Sequence, residues 1–254
     1  CSVGAKPLAI TNCLNFGNPE NNEIMGQFVQ TIKGIKKAAT ELKLPIVSGN
    51  VSFYNETNKV NIPPTPQIGI VGCFEDYRKT TSINSFCEND IVFILGNTKG
   101  HLSCSAYERV FYKFSSIKNT TKPPVVDIKE EVKNGTAVRD LINKKLISSC
   151  HDVSDGGILM AIIEMSVSSE NQIELNDFSK KHSFLFGEDQ SRYIFTVNKK
   201  NLITVKKLLN SNHLKFLEVG RVVRKKSVLN FPDKSSISIN KIVNSSKSWY
   251  KNME

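Results

Sequence analysis

Long hydrophobic runs are absent from this sequence of 254 residues. No apolar stretch approaches the roughly 20 residues that a helix needs to cross a bilayer. The segment from Cys1 to Pro7 also lacks the basic and then apolar order of a secretory leader. The sequence therefore predicts neither a membrane partner nor export.

Arginine is scarce, although the chain is basic. Lys and Arg number 34 against 24 Asp and Glu, a net charge of +10, yet only six of the basic residues are arginine. The densest basic runs, at 180–182 and 224–226, are short, and acidic residues lie between them. This pattern is typical of a solvated, lysine-rich surface, so we expect no nucleic-acid partner.

Cysteine pairs of the kind that bind zinc are missing too. The six cysteines are widely spaced, and no two of them form a C-x-x-C pair. Such spacing predicts neither a zinc site nor a dense disulfide framework. The pattern favours reduced thiols and hence a cytoplasmic protein.

What the sequence does contain is the apolar periodicity of an α/β protein. In its first part, strands at 7–11, 46–49 and 67–73 and a helix from Glu23 to Leu42 predict a parallel or mixed sheet covered by helices. A polar stretch without periodicity, 77–89, is interpreted as a linker, so the domains are 1–76 and 90–254. In the second domain, the same patterns predict strands at 90–95, 147–150, 192–197, 216–223 and 227–231, the last two as a closing pair, and helices over 130–145, 158–167 and 202–209.

Two polar loops of the first domain, 12–20 and 48–57, are the first candidate site. Each follows a predicted strand, so both are expected at the same edge of the sheet. An asparagine amide offers an oxygen to a hard cation and hydrogens to a phosphate, while Gly49 lets the backbone approach a bulky anion. Asparagine and glycine are also the commonest turn residues, so a pair of ordinary turns remains the alternative.

Two segments of the second domain are further candidates. Residues 151–157 precede a predicted helix, whose first amides would bind a phosphate while aspartates hold a magnesium ion. The alternative is an ordinary N-cap by Ser154 or Asp155. Residues 186–192 combine a carboxylate, an amide and a guanidinium before a strand, and here the alternative is a turn with a surface ion pair. These loops indicate a nucleotide or phosphosugar site with magnesium and do not name a reaction.

In their order along the chain, these segments resemble the synthetase subunit of phosphoribosylformylglycinamidine synthase. The resemblance runs from Cys1 to about Trp249 and is with the C-terminal part of the small, multi-subunit form. It implies an α/β (α+β) fold of two domains that resemble the N-terminal and C-terminal domains of aminoimidazole ribonucleotide synthetase, the first truncated at its N-terminus. The matching runs are 12–20, 47–52, 54–57, 63–66, 151–157 and 186–192.

The resemblance also implies a reaction and its partners. In this family ATP activates the amide oxygen of formylglycinamide ribonucleotide, and ammonia then displaces phosphate to give the amidine, ADP and phosphate. Mg²⁺ accompanies the ATP. A separate glutaminase subunit releases the ammonia from glutamine, and a small third subunit bridges the two. The start at Cys1 instead of Met suggests a fragment, whose partner would be the missing N-terminal half of the synthetase.

Carried over by motif, the resemblance assigns roles to single residues. Asn12 and Gly49 correspond to ATP-contacting positions, Asn50 to a magnesium ligand and Ser52 to a substrate contact. Many relatives have aspartate in place of Asn12, whose neutral amide would weaken a charge-based contact with magnesium. The second-domain segments correspond to nucleotide positions, which here would serve an auxiliary nucleotide, at Asp152, Asp155, Gly156 and Gly157, and to substrate positions at Glu188 and Gln190.

No catalytic residue is expected in this chain, because none of its four histidines lies in a catalytic motif of the family. We therefore expect the chain alone to be inactive. The family's N-terminal-type domains pack on each other, so the surface around Ile10, Ile46 and Ile68 is expected to form an exposed sheet edge. Two other functions remain open: a non-catalytic nucleotide-binding scaffold, and a free-standing relative such as aminoimidazole ribonucleotide synthetase.

Overall fold

The computed structural model describes residues 1–112, 122–176, 182–226, 228–230 and 235–251. The chain divides into two compact units, a smaller one of Ala5–Glu75 and a larger one that combines Cys1–Gly4 with Asp76–Glu254. The sequence places 1–4 in the first domain, whereas the structure packs this segment on the larger unit. Val3 accepts a hydrogen bond from the backbone of Thr81 there (3.4 Å).

The expected linker 77–89 is a packed part of the larger unit. A 3₁₀ turn, Tyr77–Lys79, begins at Asp76, whose carboxylate accepts hydrogen bonds from the backbone and the guanidinium of Arg78. Phe86 is only 3% exposed and lies in one of the hydrophobic cores. Most residues of this segment are polar, but the buried side chain of Phe86 fixes it on the larger unit.

The smaller unit is a three-stranded mixed sheet with one long helix. Its strand order is β2-β1-β5, in which β1 runs parallel to β2 and antiparallel to β5. The helix begins where Asn21 accepts a hydrogen bond from the Glu23 amide (2.9 Å), and it ends at Lys43, which adopts a left-handed φ of 57°. The elements are β1 Lys6–Asn15, α1 Asn22–Leu42, β2 Ile46–Ser52, β3 Glu56–Thr57, β4 Val60–Asn61 and β5 Thr65–Cys73.

The core of the smaller unit lies between β1 and α1. Leu14, Phe16 and Ile24 are buried there, and Phe28 packs edge-on against Phe16 at 5.3 Å between ring centroids. Outside this core the sheet is open. Ile46 and Ile68 are exposed, as the resemblance led us to expect, whereas Ile10 is buried.

The larger unit is an antiparallel sheet of five strands between two hydrophobic cores. Its strand order is β7-β9-β6-β10-β8. Residues of α3 and α6 pack on one core, and residues of α4 pack on the other. The elements are β6 Ile91–Leu95, α2 Ala106–Phe111, α3 Ile128–Asn143, β7 Ser149–Asp152, α4 Gly157–Val167, β8 Asn171–Leu175, α5 His182–Phe186, β9 Tyr193–Val197, α6 Leu202–Ser211, β10 Phe216–Arg224, β11 Val228–Asn230, β12 Ser236–Ser238 and α7 Ile239–Lys251.

The mixed α/β fold expected from the sequence is confirmed, but the expected closing pair of strands is wrong. Strand β10 lies inside the sheet between β6 and β8, and β11 pairs with β12 instead. Ser227 and Phe231, the ends of the predicted second strand, lie outside the described residues. Among the described residues, no helix has the length and apolar character needed to span a membrane.

Candidate functional site

The two asparagine-rich segments of the smaller unit lie side by side on neighbouring strands. In the parallel register of β1 and β2, Asn12 pairs with Gly49. Cys13 pairs with Asn50 in the same register, and the pairing continues to the ends of both strands. The sequence placed these residues in loops, whereas the structure places them inside the strands. The cause is visible in the burial of Leu14 and Phe16 beside the half-buried Cys13 and Asn15, an alternation that suits a strand with one buried face.

One face of this sheet is lined by polar side chains. The Oγ1 atom of Thr11 lies 2.7 Å from the Oγ atom of Ser48, which fixes the side of the sheet on which both point. Side chains alternate along a strand, so Asn50 and Ser52 lie on this same face. These residues are half-buried or exposed, and they leave amide and hydroxyl groups open to a ligand. The face contains Thr11, Cys13, Asn15, Ser48, Asn50, Ser52, Thr65 and Gln67.

Asn12 and Gly49 lie on the opposite face of the sheet, the one that packs on α1. A Cβ atom built on Gly49 would come within 2.5 Å of the Asn12 Oδ1 atom. The space beside Gly49 is therefore filled by the amide of Asn12. Asn12 also lines a cleft of about 600 Å³ together with Ile35 and Ile46.

Asn55 and Asn61 form hydrogen bonds with residues at the end of β2 and just beyond the end of β1. The Nδ2 atom of Asn55 lies within hydrogen-bonding distance of the Phe16 carbonyl (2.9 Å) and of both oxygens of Ser52 (3.1 Å each). The Oδ1 atom of Asn61 accepts a hydrogen bond from the Asn18 amide at 2.7 Å. Sequence reasoning missed Asn61, because only the long-range pairing shows that the β3–β4 hairpin returns to the loop after β1.

In the larger unit, the structure brings the segments 151–157 and 186–192 together. The Glu188 Oε1 atom accepts hydrogen bonds from the Gly156 amide (2.8 Å) and the Ala106 amide (2.7 Å). The Gly157 amide donates to the Ser154 carbonyl at 3.0 Å. The amides of Gly156 and Gly157, which the sequence suggested for a phosphate, thus have acceptors within the protein.

Gly157 is required at this contact for two reasons. Its φ of 69° is left-handed, and a Cβ atom would lie 2.7 Å from the Gly187 carbonyl oxygen and 2.8 Å from that of Leu185. Both clashes are with backbone atoms, which no rotation of a side chain relieves. The glycine therefore serves close packing of two segments.

Arg192 is the centre of the segment 186–192 and is only 2% exposed. Its guanidinium donates to the carbonyl oxygens of Asp189 (2.9 Å) and Gly187 (2.6 Å) and to Thr98 Oγ1 (3.3 Å). Burial lowers the pKa of Arg192 below its usual range. The surface ion pair that we considered for this segment is therefore wrong, and the guanidinium holds the loop together from inside.

His151 lies between two carboxylates at the end of β7. Its Nδ1 atom is 3.3 Å from Asp152 and its Nε2 atom is 3.0 Å from Glu164 on α4. The nearby Asp152 carboxylate, with a smaller effect of Glu164, raises the pKa of His151, and the imidazole in turn lowers the pKa of Asp152. Asp155 is exposed and lies 3.8 Å from the guanidinium of Arg109.

Within the described parts of the chain, no cluster of three or more His, Cys, Asp or Glu side chains is arranged to hold a metal ion. Asp152 contacts His151, whereas Asp155 contacts Arg109. Gln190 is exposed and donates to the Glu188 carbonyl at 3.3 Å. The proposed ligand roles of these residues stay predictions.

Comparisons with known proteins match both parts of the chain. The family profile "AIR synthase related protein, N-terminal domain" matches residues 1–74, and the profile "AIR synthase related protein, C-terminal domain" matches residues 88–229. A curated relative, phosphoribosylformylglycinamidine synthase subunit PurL of Pelagibacter ubique, is 41% identical over an alignment of 254 positions that covers 99% of this chain and 34% of the relative. The chain spans about a third of the length of the curated relatives it matches.

Solved structures with this fold include PurL of Thermotoga maritima. Its complex with FGAR superposes with a TM-score of 0.70 at 14% identity over 94% of this chain and 40% of that chain. Its complex with ATP gives a TM-score of 0.67 at 15% identity, over 94% of this chain and 38% of that chain. At these identities the likeness concerns the fold.

Proposed function

Because this chain belongs to the AIR synthase related protein family, we propose that it forms part of the ATP-dependent synthetase of purine biosynthesis. The reaction is the conversion of formylglycinamide ribonucleotide and ammonia to formylglycinamidine ribonucleotide. ATP activates the amide oxygen of the substrate by phosphorylation. Ammonia then takes the place of this oxygen, which leaves as phosphate, so ADP and phosphate are the other products.

The observation that carries the proposal is the position of Asn50 and Ser52. They pair with Cys13 and Asn15 of β1 and lie on one open polar face. Asn50 offers an amide oxygen and two hydrogens, and Ser52 offers a hydroxyl. A nucleotide and a ribonucleotide substrate both present oxygens that such groups recognise. The names of the relatives, and of the solved structures with ATP and FGAR, support the same ligands for this chain.

The residues around Asn50 fit one kind of magnesium site. Their donor atoms are neutral amide and hydroxyl oxygens, without a carboxylate on the polar face. Mg²⁺ is usually held by one or two carboxylates together with waters and substrate phosphates, so a lone amide oxygen would hold only an ion that the nucleotide phosphates already bind. We propose that Asn50 holds a magnesium ion that arrives with the nucleotide, and that Asn12 and Gly49 shape the adjoining backbone.

The larger unit offers less support for a ligand site. Asp152, Asp155, Gly156 and Gly157 are proposed for an auxiliary nucleotide, and Gln190 with Glu188 for a substrate. Glu188 and the glycine amides already have partners within the protein. Asp152, Asp155 and Gln190 are the exposed groups of this set, so they are the better candidates for contact with a ligand.

Further subunits belong to the proposal. A glutaminase subunit would release ammonia from glutamine, and a small bridging subunit would join it to the synthetase in the cytoplasm. We propose that turnover requires the additional two thirds that the curated relatives have. The purified chain is therefore expected to bind ligands without forming amidine.

Isothermal titration with ATP and Mg²⁺ tests the proposal. The native chain is compared with Asn50→Ala and, as a matched control, with Asn22→Ala, an exposed asparagine at the start of α1. We expect Asn50→Ala to weaken binding about tenfold, the size of one lost hydrogen bond to a charged group, and the control to leave binding unchanged. Equal affinity of Asn50→Ala and the native chain would refute the site on the polar face.

A nucleotide-binding scaffold is the second candidate function, because the polar face around Asn50 offers neutral amide and hydroxyl groups and no carboxylate. Addition of the remaining synthetase segments distinguishes the two functions. Amidine formation upon their addition supports a catalytic part, whereas nucleotide binding without turnover in the reconstituted assembly supports the scaffold.

A further inference from the structure

Asn55 contacts both oxygens of Ser52 through its side chain. It follows β2, and its side chain is half-buried. Its Nδ2 atom reaches the Phe16 carbonyl (2.9 Å), the Ser52 carbonyl (3.1 Å) and the Ser52 hydroxyl (3.1 Å). Its Oδ1 atom lies 3.3 Å from that same hydroxyl. Both polar atoms of one amide are thus directed at the end of the polar face.

The surroundings fix the orientation of this amide. Carbonyl oxygens only accept hydrogen bonds, so the group that faces Phe16 O and Ser52 O has to be the NH₂. A flipped amide would place its oxygen against two carbonyl oxygens. The backbone amide of Asn55 also donates to the Phe16 carbonyl (3.2 Å), which holds the residue in place.

This orientation determines what the Ser52 hydroxyl is free to do. The amide has two hydrogens, of which one serves Phe16 O and the other is shared by the oxygens of Ser52. When the hydroxyl oxygen accepts from Nδ2, its own hydrogen remains for another acceptor. The only competing acceptor in this contact, Oδ1, is 3.3 Å away, which is long for a hydroxyl hydrogen bond.

We propose that Asn55 is a positioning residue that holds the Ser52 hydroxyl as an acceptor, so that the hydroxyl donates its hydrogen to an oxygen of the bound substrate. The inference rests on the proposed function, in which Ser52 contacts formylglycinamide ribonucleotide. Asn55 itself acts through Ser52 and through the loop at Phe16. Its donor group is what matters, because an acceptor at this position would take the hydroxyl hydrogen for itself.

The first measurement needs no ligand. In a ¹⁵N-labelled chain, the side-chain NH₂ signals of Asn55 are identified by their loss in Asn55→Asp. We expect these signals to shift in Ser52→Ala and to stay unchanged in Thr57→Ala, a neighbouring exposed control. Unchanged Asn55 signals in Ser52→Ala would overturn the proposal, because the two side chains would then not be coupled in solution.

The second measurement is a double-mutant cycle of binding, by titration with formylglycinamide ribonucleotide. Asn55→Asp and Ser52→Ala are each expected to weaken binding about tenfold, the order of one hydrogen bond, and the double variant no further than Ser52→Ala alone. A purely structural role would weaken binding equally in both backgrounds, which would overturn the proposal. Urea unfolding of the same variants shows whether each one is folded.

Failure of the proposed function is recognised separately. If the native chain does not bind the substrate, the assignment of Ser52 as a substrate contact fails for the isolated chain. The ligand-free spectra then still decide whether Asn55 holds the Ser52 side chain. Coupled signals without substrate binding would support the positioning contact and refute the substrate.

Discussion

Gly49 has no room for a side chain, because the amide of Asn12 already fills the space beside it. All three atoms nearest to a Cβ on Gly49 belong to the end of the Asn12 side chain. The Asn12 amide can rotate away, so a methyl group at position 49 would be accommodated at a small cost in free energy. At Gly220, by contrast, the nearest atom is the Glu174 backbone oxygen at 2.2 Å, which the strand pairing of β8 and β10 holds in place.

We therefore expect substitution by alanine to destabilise the protein by different amounts at Gly49 and Gly220. Gly49→Ala is expected to displace Asn12 and to lower the free energy of unfolding by less than about 1 kcal/mol. Gly220→Ala is expected to lower it by about 2 kcal/mol or more, since no side chain relieves the clash. Urea unfolding followed by circular dichroism measures both. Equal losses in the two variants would show that Asn12 is as rigid as a backbone strand.

We expect the free energy of unfolding to depend on pH because of His151. Its pKa is raised above the ordinary value of 6.5 by Asp152 and Glu164, so protonation favours the folded state. The contribution is fully present below pH 6.5 and is lost as the pH rises through the raised pKa. Both carboxylates are about half exposed, so we expect about 1 kcal/mol at most.

The test compares urea midpoints of the native chain and His151→Gln from roughly pH 6 to 8.5. The native chain is expected to lose stability more steeply with rising pH than the variant, while His182→Gln, an exposed histidine of α5, serves as the control. Parallel pH curves for the native chain and His151→Gln would contradict the contribution of this histidine.

At the scale of elements, the start of α4 is held by a carboxylate from a distant segment. Glu188 lies 82 residues from Ala106 and 32 from Gly156, and it accepts a hydrogen bond from the backbone amide of each. An anion at the N-terminus of a helix is favourable in itself. The carboxylate therefore stands where a ligand phosphate was expected.

Removal of this carboxylate is expected to destabilise the larger unit. Glu188→Ala leaves two amides without an acceptor and should lower the free energy of unfolding by about 1–3 kcal/mol. Glu188→Gln keeps an acceptor oxygen and should cost less than half as much. If both variants lose the same amount, the negative charge matters and the acceptor does not. Urea unfolding distinguishes these results.

At the scale of the whole molecule, the two units differ greatly in their cores. Only Leu14, Phe16 and Ile24 form the buried cluster of the smaller unit, whereas two larger clusters flank the sheet of the other unit. Several apolar residues of the smaller unit's sheet are exposed instead, among them Val47 and Val71. A small core and open apolar surface indicate low local stability.

Limited proteolysis should therefore cleave within residues 5–75 before it cleaves the larger unit. Hydrogen exchange should be faster for the amides of β2 and β5 than for those of β6 and β9. As a control, Ile68→Thr with Val71→Thr should reduce the binding of a hydrophobic dye without a change in the order of cleavage. Equal resistance of the two units to protease would contradict the difference in stability.

The sequence alone determined the family, through the resemblance of its motif segments. It also determined the mixed α/β fold and most helix and strand positions, because periodicity and turn residues are local signals. The helix from Asn22 to Leu42 is the clearest case, predicted within one residue of its start. The lengths of β1 and β2 were underestimated, because asparagine and glycine suggested loops. The buried Leu14 and Phe16 on either side of Asn15 were the signal for a longer β1.

Only the tertiary structure decided which polar groups remain free for a ligand. Arg192 and Glu188 read as binding residues in the sequence. In the structure, Glu188 bonds to backbone amides of distant segments, and Arg192 bonds to two carbonyls of its own loop and to the distant Thr98 hydroxyl. Asn50 and Ser52 lie on the open face because the register of β2 against β1 places them on the side of the sheet opposite to α1. Hydrogen-bond satisfaction depends on partners far apart in sequence, and these are brought together only by packing.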